Sequence, residues 1–205
     1  MPRQPDHPID SLFTDRWSPR SFTGEEVPPA VLHSALEAAR WAPSASNAQP
    51  WRFLIARNGD ADWARFTALL NGRNARWAGR ASALILIVSA TEVERNGQRG
   101  PNTSHSFDAG AAWANFAHQA LLLGWHTHGI GGYDRDLARE TLKIPDDFAL
   151  EALIALGRQG PLDTLDADFH AQESPNARRP LAESVFAGTF GVPAFAPASP
   201  EKEDA

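Results

Sequence analysis

Ala83–Ser89 (ALILIVS) is the stretch that most restricts the possible folds. A strand with one wet face alternates apolar and polar side chains; one covered on both faces is apolar throughout. This run has no alternation, so the chain must place a layer of structure on each side of the strand. Candidates for those layers surround it. Pro28 and Pro29 stand where a helix can begin, Val31, Leu32, Ala35, Leu36 and Ala39 recur at helical spacing, and Pro43 ends the run. Trp63, Phe66, Leu69 and Leu70 suggest a second helix over 60–70, followed by an irregular 71–79. Phe107–Leu123 is the longest helical stretch and is apolar almost all round, which predicts a buried central helix. Further strands are expected at 51–56, 125–130 and 150–156, a helix over 134–142, and an exposed polar loop over 92–105. The resulting order alternates helix and strand, giving an α+β or α/β sandwich.

At 205 residues, 42% hydrophobic and 21% charged, the sequence suits a single globular domain over 1–205, with tails at 1–11 and about 190–205. The last 45 residues are Pro-rich and aperiodic, which is long for a loop unless it wraps a partner subunit. A net charge of −6 argues against a general grip on nucleic acid. The absence of Cys removes disulfides, thiol nucleophiles and thiolate-bound metals. Without an apolar leader or an 18-residue apolar run, neither export nor a membrane partner is expected, and the expected location is cytoplasmic.

Lys occurs only at Lys143 and Lys202, so the basic groups are nearly all guanidiniums, which suit bidentate phosphate recognition. Arg16-Trp17-Ser18-Pro19-Arg20 puts two guanidiniums and a hydroxyl on one side of an extended backbone, a cradle for one phosphate or else a solvated basic turn. Arg178-Arg179 repeats the theme near the other end. Between Ala42 and Trp51, small residues permit close approach of a flat ligand, while Ser44, Ser46, Asn47 and Gln49 can bond its heteroatoms. Ser44 and Ser46 lack the elbow of a serine nucleophile. Gly129-Ile130-Gly131-Gly132 lacks dinucleotide-loop spacing, and His126-x-His128 has no convincing third metal ligand, so no metal is expected.

These segments together resemble the nitroreductase family of FMN-dependent NAD(P)H oxidoreductases. Arg-x-Ser-x-Arg at 16–20 precedes Pro43-Ser44-Ala45-Ser46-Asn47-Ala48-Gln49-Pro50-Trp51, with one helix between them. Phe107-Asp108-Ala109-Gly110, the stretch from Leu123 to Asp134 and Arg178-Arg179-Pro180-Leu181 match further motifs, so the likeness covers roughly 12–186. It implies an α+β fold with a central mixed sheet flanked by helices, and a homodimer that exchanges its C-terminal arm and holds flavin at the subunit interface. It also implies roles. Arg16, Trp17, Ser18 and Arg20 would hold the ribityl phosphate, completed by Arg178 and Arg179. Pro43, Ser44, Ala45 and Asn47 would approach the flavin from the other subunit. Gly131 and Gly132 would lie beside the ring, with a backbone N–H toward N5, and Asn74 at its pyrimidine edge. Asn176 departs from the family, many of whose members carry Lys or Arg there. The implied activity is a ping-pong transfer of hydride from NADH or NADPH, through flavin N5, to a nitroaromatic, a quinone or another electron-poor acceptor. No protein side chain is required as acid or base. The alternative is a flavin-holding store or sensor without NAD(P)H turnover.

Overall fold

The computed structural model describes residues 3–195. Helix α1 (Ser11–Asp15) opens the described chain, capped by the Asp10 carboxylate, which accepts from the Leu12 N–H. Helix α2 (Pro29–Arg40) starts on a proline, whose missing N–H costs nothing in a first turn. It leads through a short turn into strand β1 (Trp51–Arg57). The region expected as one helix over 60–70 forms only α3 (Trp63–Thr67). The stretch expected to be irregular instead contains α4 (Gly72–Ala78), capped by the Asn71 side chain and anchored by buried Trp77 and Ala78.

Strand β2 (Ala83–Ala90) is buried at every position but its last. Leu84, Leu86 and Val88 face a cluster containing Phe22, Trp77 and Phe169; Ile85 and Ile87 face another containing Ala35, Phe116 and Trp125. The unbroken apolar run thus reflects two cores, one on each face of the sheet. Full burial of each of Leu84, Ile85, Leu86 and Ile87 is worth about 1.5–3 kcal/mol.

The polar segment after β2 is a hairpin rather than a loop: β3 (Glu92–Arg95) pairs antiparallel with β4 (Gln98–Pro101). Its Asn96-Gly97 turn has φ of 52° and 75°, the left-handed pair that closes two-residue hairpins. Helix α5 (His105–Leu122) follows, then β5 (His126–Ile130), α6 (Arg135–Thr141) and β6 (Phe148–Gly157). The main sheet has the order β1-β2-β6-β5.

All three pairings in that sheet are antiparallel, so the expected mixed sheet is corrected to an antiparallel one within the protomer. The links from β1 to β2 and from β5 to β6 each return the chain at the end of the sheet where it left. The α+β class stands. Helix α5 differs from the expected all-round burial. Ala109, Ala112, Phe116 and Ala120 pack inward, while Phe107 and Leu122 are 83% and 65% exposed on the opposite side. Beyond β6 the chain runs in short turns, and Leu165 and Phe169 anchor it to its own protomer. Residues 196–205, part of the expected C-terminal tail, and residues 1–2 of the N-terminal one lie outside the described residues.

Candidate functional site

Residues 16–22 form an extended segment fixed by groups from the far end of the sequence. The Glu173 carboxylate accepts from the Arg20 N–H (2.9 and 3.0 Å to its two oxygens) and from the Ser21 N–H (2.9 Å). Ser21 is fully buried and its Oγ donates to the Pro161 carbonyl at 2.6 Å, while Phe22 inserts into the core. A Cβ on Gly157 would stand 2.6 Å from the Phe22 ring, so only glycine lets the segment lie this close to the end of β6. Pinned in this way, Arg16, Ser18 and Arg20 share one face, as their alternation predicted.

That face lines a cleft of about 480 Å³, which Trp17, His128 and Arg178 also line. Arg16, Arg20 and Arg178, up to 162 residues apart in sequence, therefore converge. Arg3, from the expected N-terminal tail, joins them. Among the described residues, none of these four guanidiniums forms a salt bridge. Glu173 lies against the same segment, but its carboxylate is engaged by backbone N–H groups. The charge is felt within the cluster. Burial, then repulsion from Arg3 and Arg178, pulls the Arg16 pKa below the usual guanidinium value. His118, on α5, is lowered by burial and by Arg16.

His128 belongs to the cleft through β5. Its Nδ1 donates to the Pro19 carbonyl at 3.0 Å, and its ring lies 4.5 Å from that of Trp77. Burial, with smaller contributions from Arg20 and Arg16 and against the Pro19 hydrogen bond, drives its pKa down to about 4. At neutral pH the cation content of the cleft is therefore guanidinium alone. Its chemistry is that of an anion site: several guanidiniums, and no carboxylate among the described residues that line it.

Strand β5 runs from this cleft to the glycine turn, about 13 Å for the four residues from His128 to Gly132. There Asn74 Nδ2 donates to the Gly132 carbonyl at 2.9 Å. A Cβ on Gly132 would meet Asn71 Nδ2 at 2.6 Å, whereas one on Gly131 would meet nothing within 4 Å. The structure thus joins Asn74, Gly131 and Gly132 to one another and leaves open space beside Gly131. Two buried donors near this path, Trp77 Nε1 and Tyr133 Oη, have no hydrogen-bond partner among the described residues.

Pro43, Ser44, Ala45 and Asn47 do not line the cleft. Their loop precedes β1, the edge of the sheet opposite β5, so three strand spacings of about 14 Å in total separate the two. The loop is tightly held: the Ala45 N–H donates to the buried Asp108 carboxylate at 3.1 Å, and the Gln49 N–H to Ser44 Oγ at 3.0 Å. Ser46, Asn47 and Gln49 have φ of 53°, 53° and 46°. Such left-handed non-glycine residues store strain. Arg179 also stands apart: its side chain is 87% exposed and lies 3.9 Å from Glu183. Asn176 has a different role from a cation. Its Oδ1 accepts from Arg3 at 3.2 Å and from Arg178 at 2.9 Å.

A sequence profile of the nitroreductase family matches residues 13–76, which include the arginine segment, the strained loop and Asn74. A solved structure described as an oxidoreductase containing FMN superposes with a TM-score of 0.90 at 46% identity, over 93% of this chain and 96% of that one. The chain belongs to the nitroreductase family. A Thermus thermophilus relative described as NADH dehydrogenase is 29% identical over 202 residues, spanning 83% of this chain and 91% of its own. A nitroreductase family protein from Streptococcus pneumoniae, at 22% identity and a TM-score of 0.69 over 86% of this chain and 98% of its own, shares the fold. Outside the profile match, this nitroreductase-family chain supplies His128, the glycine turn, Glu173 and Arg178 from β5 and the C-terminal segment. No helix among the described residues is long and apolar enough to cross a membrane.

Proposed function

We propose that this nitroreductase-family chain is an FMN-dependent oxidoreductase that takes its electrons from NADH or NADPH and delivers them to an electron-poor acceptor, a nitroaromatic or a quinone. The observation that carries the reading is the convergence of Arg16, Arg20 and Arg178 on one cleft without a salt bridge among the described residues. A phosphate monoester carries about −1.5 to −2 charges at neutral pH, and in a chain of net charge −6 only such a local cluster could hold it. The fit extends along β5. Arg16, Ser18, Arg20 and Arg178 would hold the phosphate, with Trp17 beside the ribityl chain. Gly131, Gly132 and Asn74 would border the ring in the space left beside Gly131. FMN, when bound, supplies the two-electron chemistry of a ping-pong cycle. The protein contributes guanidiniums that fix one end of the cofactor and a neutral His128 that adds no titrating charge. Its backbone donors at the glycine turn favour a reduced, negatively charged ring.

We further propose a homodimer with its flavin sites at the subunit junction. The strained 43–47 loop lies too far from the cleft of its own protomer and would meet that of the partner. The exposed apolar side of α5 would form the junction, and the exposed Phe190, Val192 and Phe195 fit an exchanged C-terminal arm. The deciding experiment is an absorbance spectrum of the purified protein, then anaerobic titration with NADH and NADPH. Bound FMN bleached by either nucleotide supports the proposal. Bound FMN that neither nucleotide bleaches would indicate a flavin store, and failure to take up FMN would defeat the reading of the cleft.

A further inference from the structure

We propose that the N-terminal arm is one wall of the phosphate-monoester site, with Arg3 acting both as a fourth cation of the clamp and as the tie that sets the spacing of Arg16 and Arg178. The inference rests on the phosphate reading of the cleft. The Arg3 guanidinium bridges the two ends of the chain. Its Nε donates to the Asn176 carbonyl at 2.8 Å, and its Nη1 to the carbonyls of Thr14 (3.1 Å) and Arg16 (2.6 Å). Its Nη2 reaches Asn176 Oδ1, the oxygen that also accepts from Arg178. This geometry uses four of the five N–H donors and leaves one Nη2 hydrogen for the cleft that Arg3 lines.

Every acceptor of Arg3 is a neutral oxygen. Its charge is oriented by dipoles and stands against two other cations; burial and Arg178 together lower its pKa, as burial, Arg3 and Arg178 lower that of Arg16. A purely structural tie would gain by being neutral or by pairing with a carboxylate. A cation held in place against like charges is favourable only once a multiply charged anion enters, because the repulsions are then replaced by attractions to a shared centre. The class of ligand that satisfies four guanidiniums at once is a phosphate monoester, whether carried by a flavin or free.

The test uses the full-length chain with Arg3→Gln and Arg3→Lys, and measures dissociation constants for FMN and for riboflavin by flavin fluorescence. Arg3→Gln is expected to weaken FMN binding about tenfold and leave riboflavin binding unchanged. Arg3→Lys, which keeps the charge, is expected to retain most of the preference for FMN over riboflavin. Inorganic phosphate alone should raise the melting temperature of the wild type more than that of Arg3→Gln. Equal weakening of both flavins, unchanged FMN binding, or Arg3→Lys behaving like Arg3→Gln would overturn the inference. FMN binding indifferent to Arg20→Ala would instead overturn the phosphate reading beneath it.

Discussion

Arg20 and His128 face the same cleft and should respond in opposite ways to perturbation. The Arg20 backbone is held by Glu173, but its guanidinium makes no salt bridge among the described residues, so Arg20→Ala removes a ligand contact and leaves the segment in place. Loss of one charge-assisted hydrogen bond is worth about 1.5–3 kcal/mol, so FMN should bind roughly 10- to 100-fold more weakly, read by fluorescence titration, with the melting temperature little changed. An unchanged dissociation constant would remove Arg20 from the site. His128 bears on stability instead. Its pKa of about 4 in the folded chain lies below the ordinary value of 6.5. Above pH 6.5 both folded and unfolded chains hold it neutral, and it contributes no pH dependence. Between 6.5 and 4 the unfolded chain takes up the proton and the folded chain does not, so stability falls as the pH falls. The full loss is about 3 kcal/mol. His128→Gln should flatten this part of the stability–pH curve relative to wild type, as followed by denaturant unfolding at pH 7, 5.5 and 4.5. Parallel curves for the two proteins would contradict the burial argument.

At the scale of elements, the two glycines after β5 separate cofactor space from packing. Gly131→Val places its side chain in open space, so the apo protein should melt as the wild type does yet fail to take up FMN. Gly132→Ala drives a methyl group into Asn71, whose side chain caps α4 through the Asn74 N–H, and Asn74 in turn holds the Gly132 carbonyl. Loss of such a cap costs about 1 kcal/mol, so Gly132→Ala should lower the melting temperature even without flavin. The reverse pattern would exchange the roles assigned to the two residues. These elements also show what the sequence could and could not reveal. Strand β2 was legible because its burial on both faces leaves a one-dimensional signature. Helix α4 was not: GRNARWA has no apolar period, and the helix depends on one side-chain cap and on Trp77 entering a core built elsewhere. The β3–β4 hairpin did leave a local signal, Asn96-Gly97, in a segment otherwise read as polar loop. In the site, the Arg16–Arg20 alternation and Arg178 could be read as candidates. Arg3 and Glu173 could not, because their meaning lies in partners up to 173 residues away.

At the scale of the molecule, a helix apolar almost all round sits in a protomer that covers only one of its sides. Its outward side carries exposed Phe107 and Leu122, with half-buried Ala114 and His118 between them, and Phe13 of α1 packs edge-on against His118. With Phe107 and Leu122 as exposed as they are, replacing both by Glu removes no core contact of the protomer. If that side is the junction of a homodimer, each buried side chain is worth about 1.5–3 kcal/mol there, and two charges brought into an apolar interface add their desolvation. The double variant Phe107→Glu/Leu122→Glu should therefore sediment as a monomer at concentrations where the wild type is a dimer, with its far-ultraviolet spectrum intact. The same variant should lose FMN, although no residue of the arginine cleft has changed, because the strained loop at 43–47 then has no second site to complete. A monomer that still holds FMN as tightly as the wild type would show that one protomer suffices, and the loop would need another explanation for the left-handed residues Ser46 and Asn47.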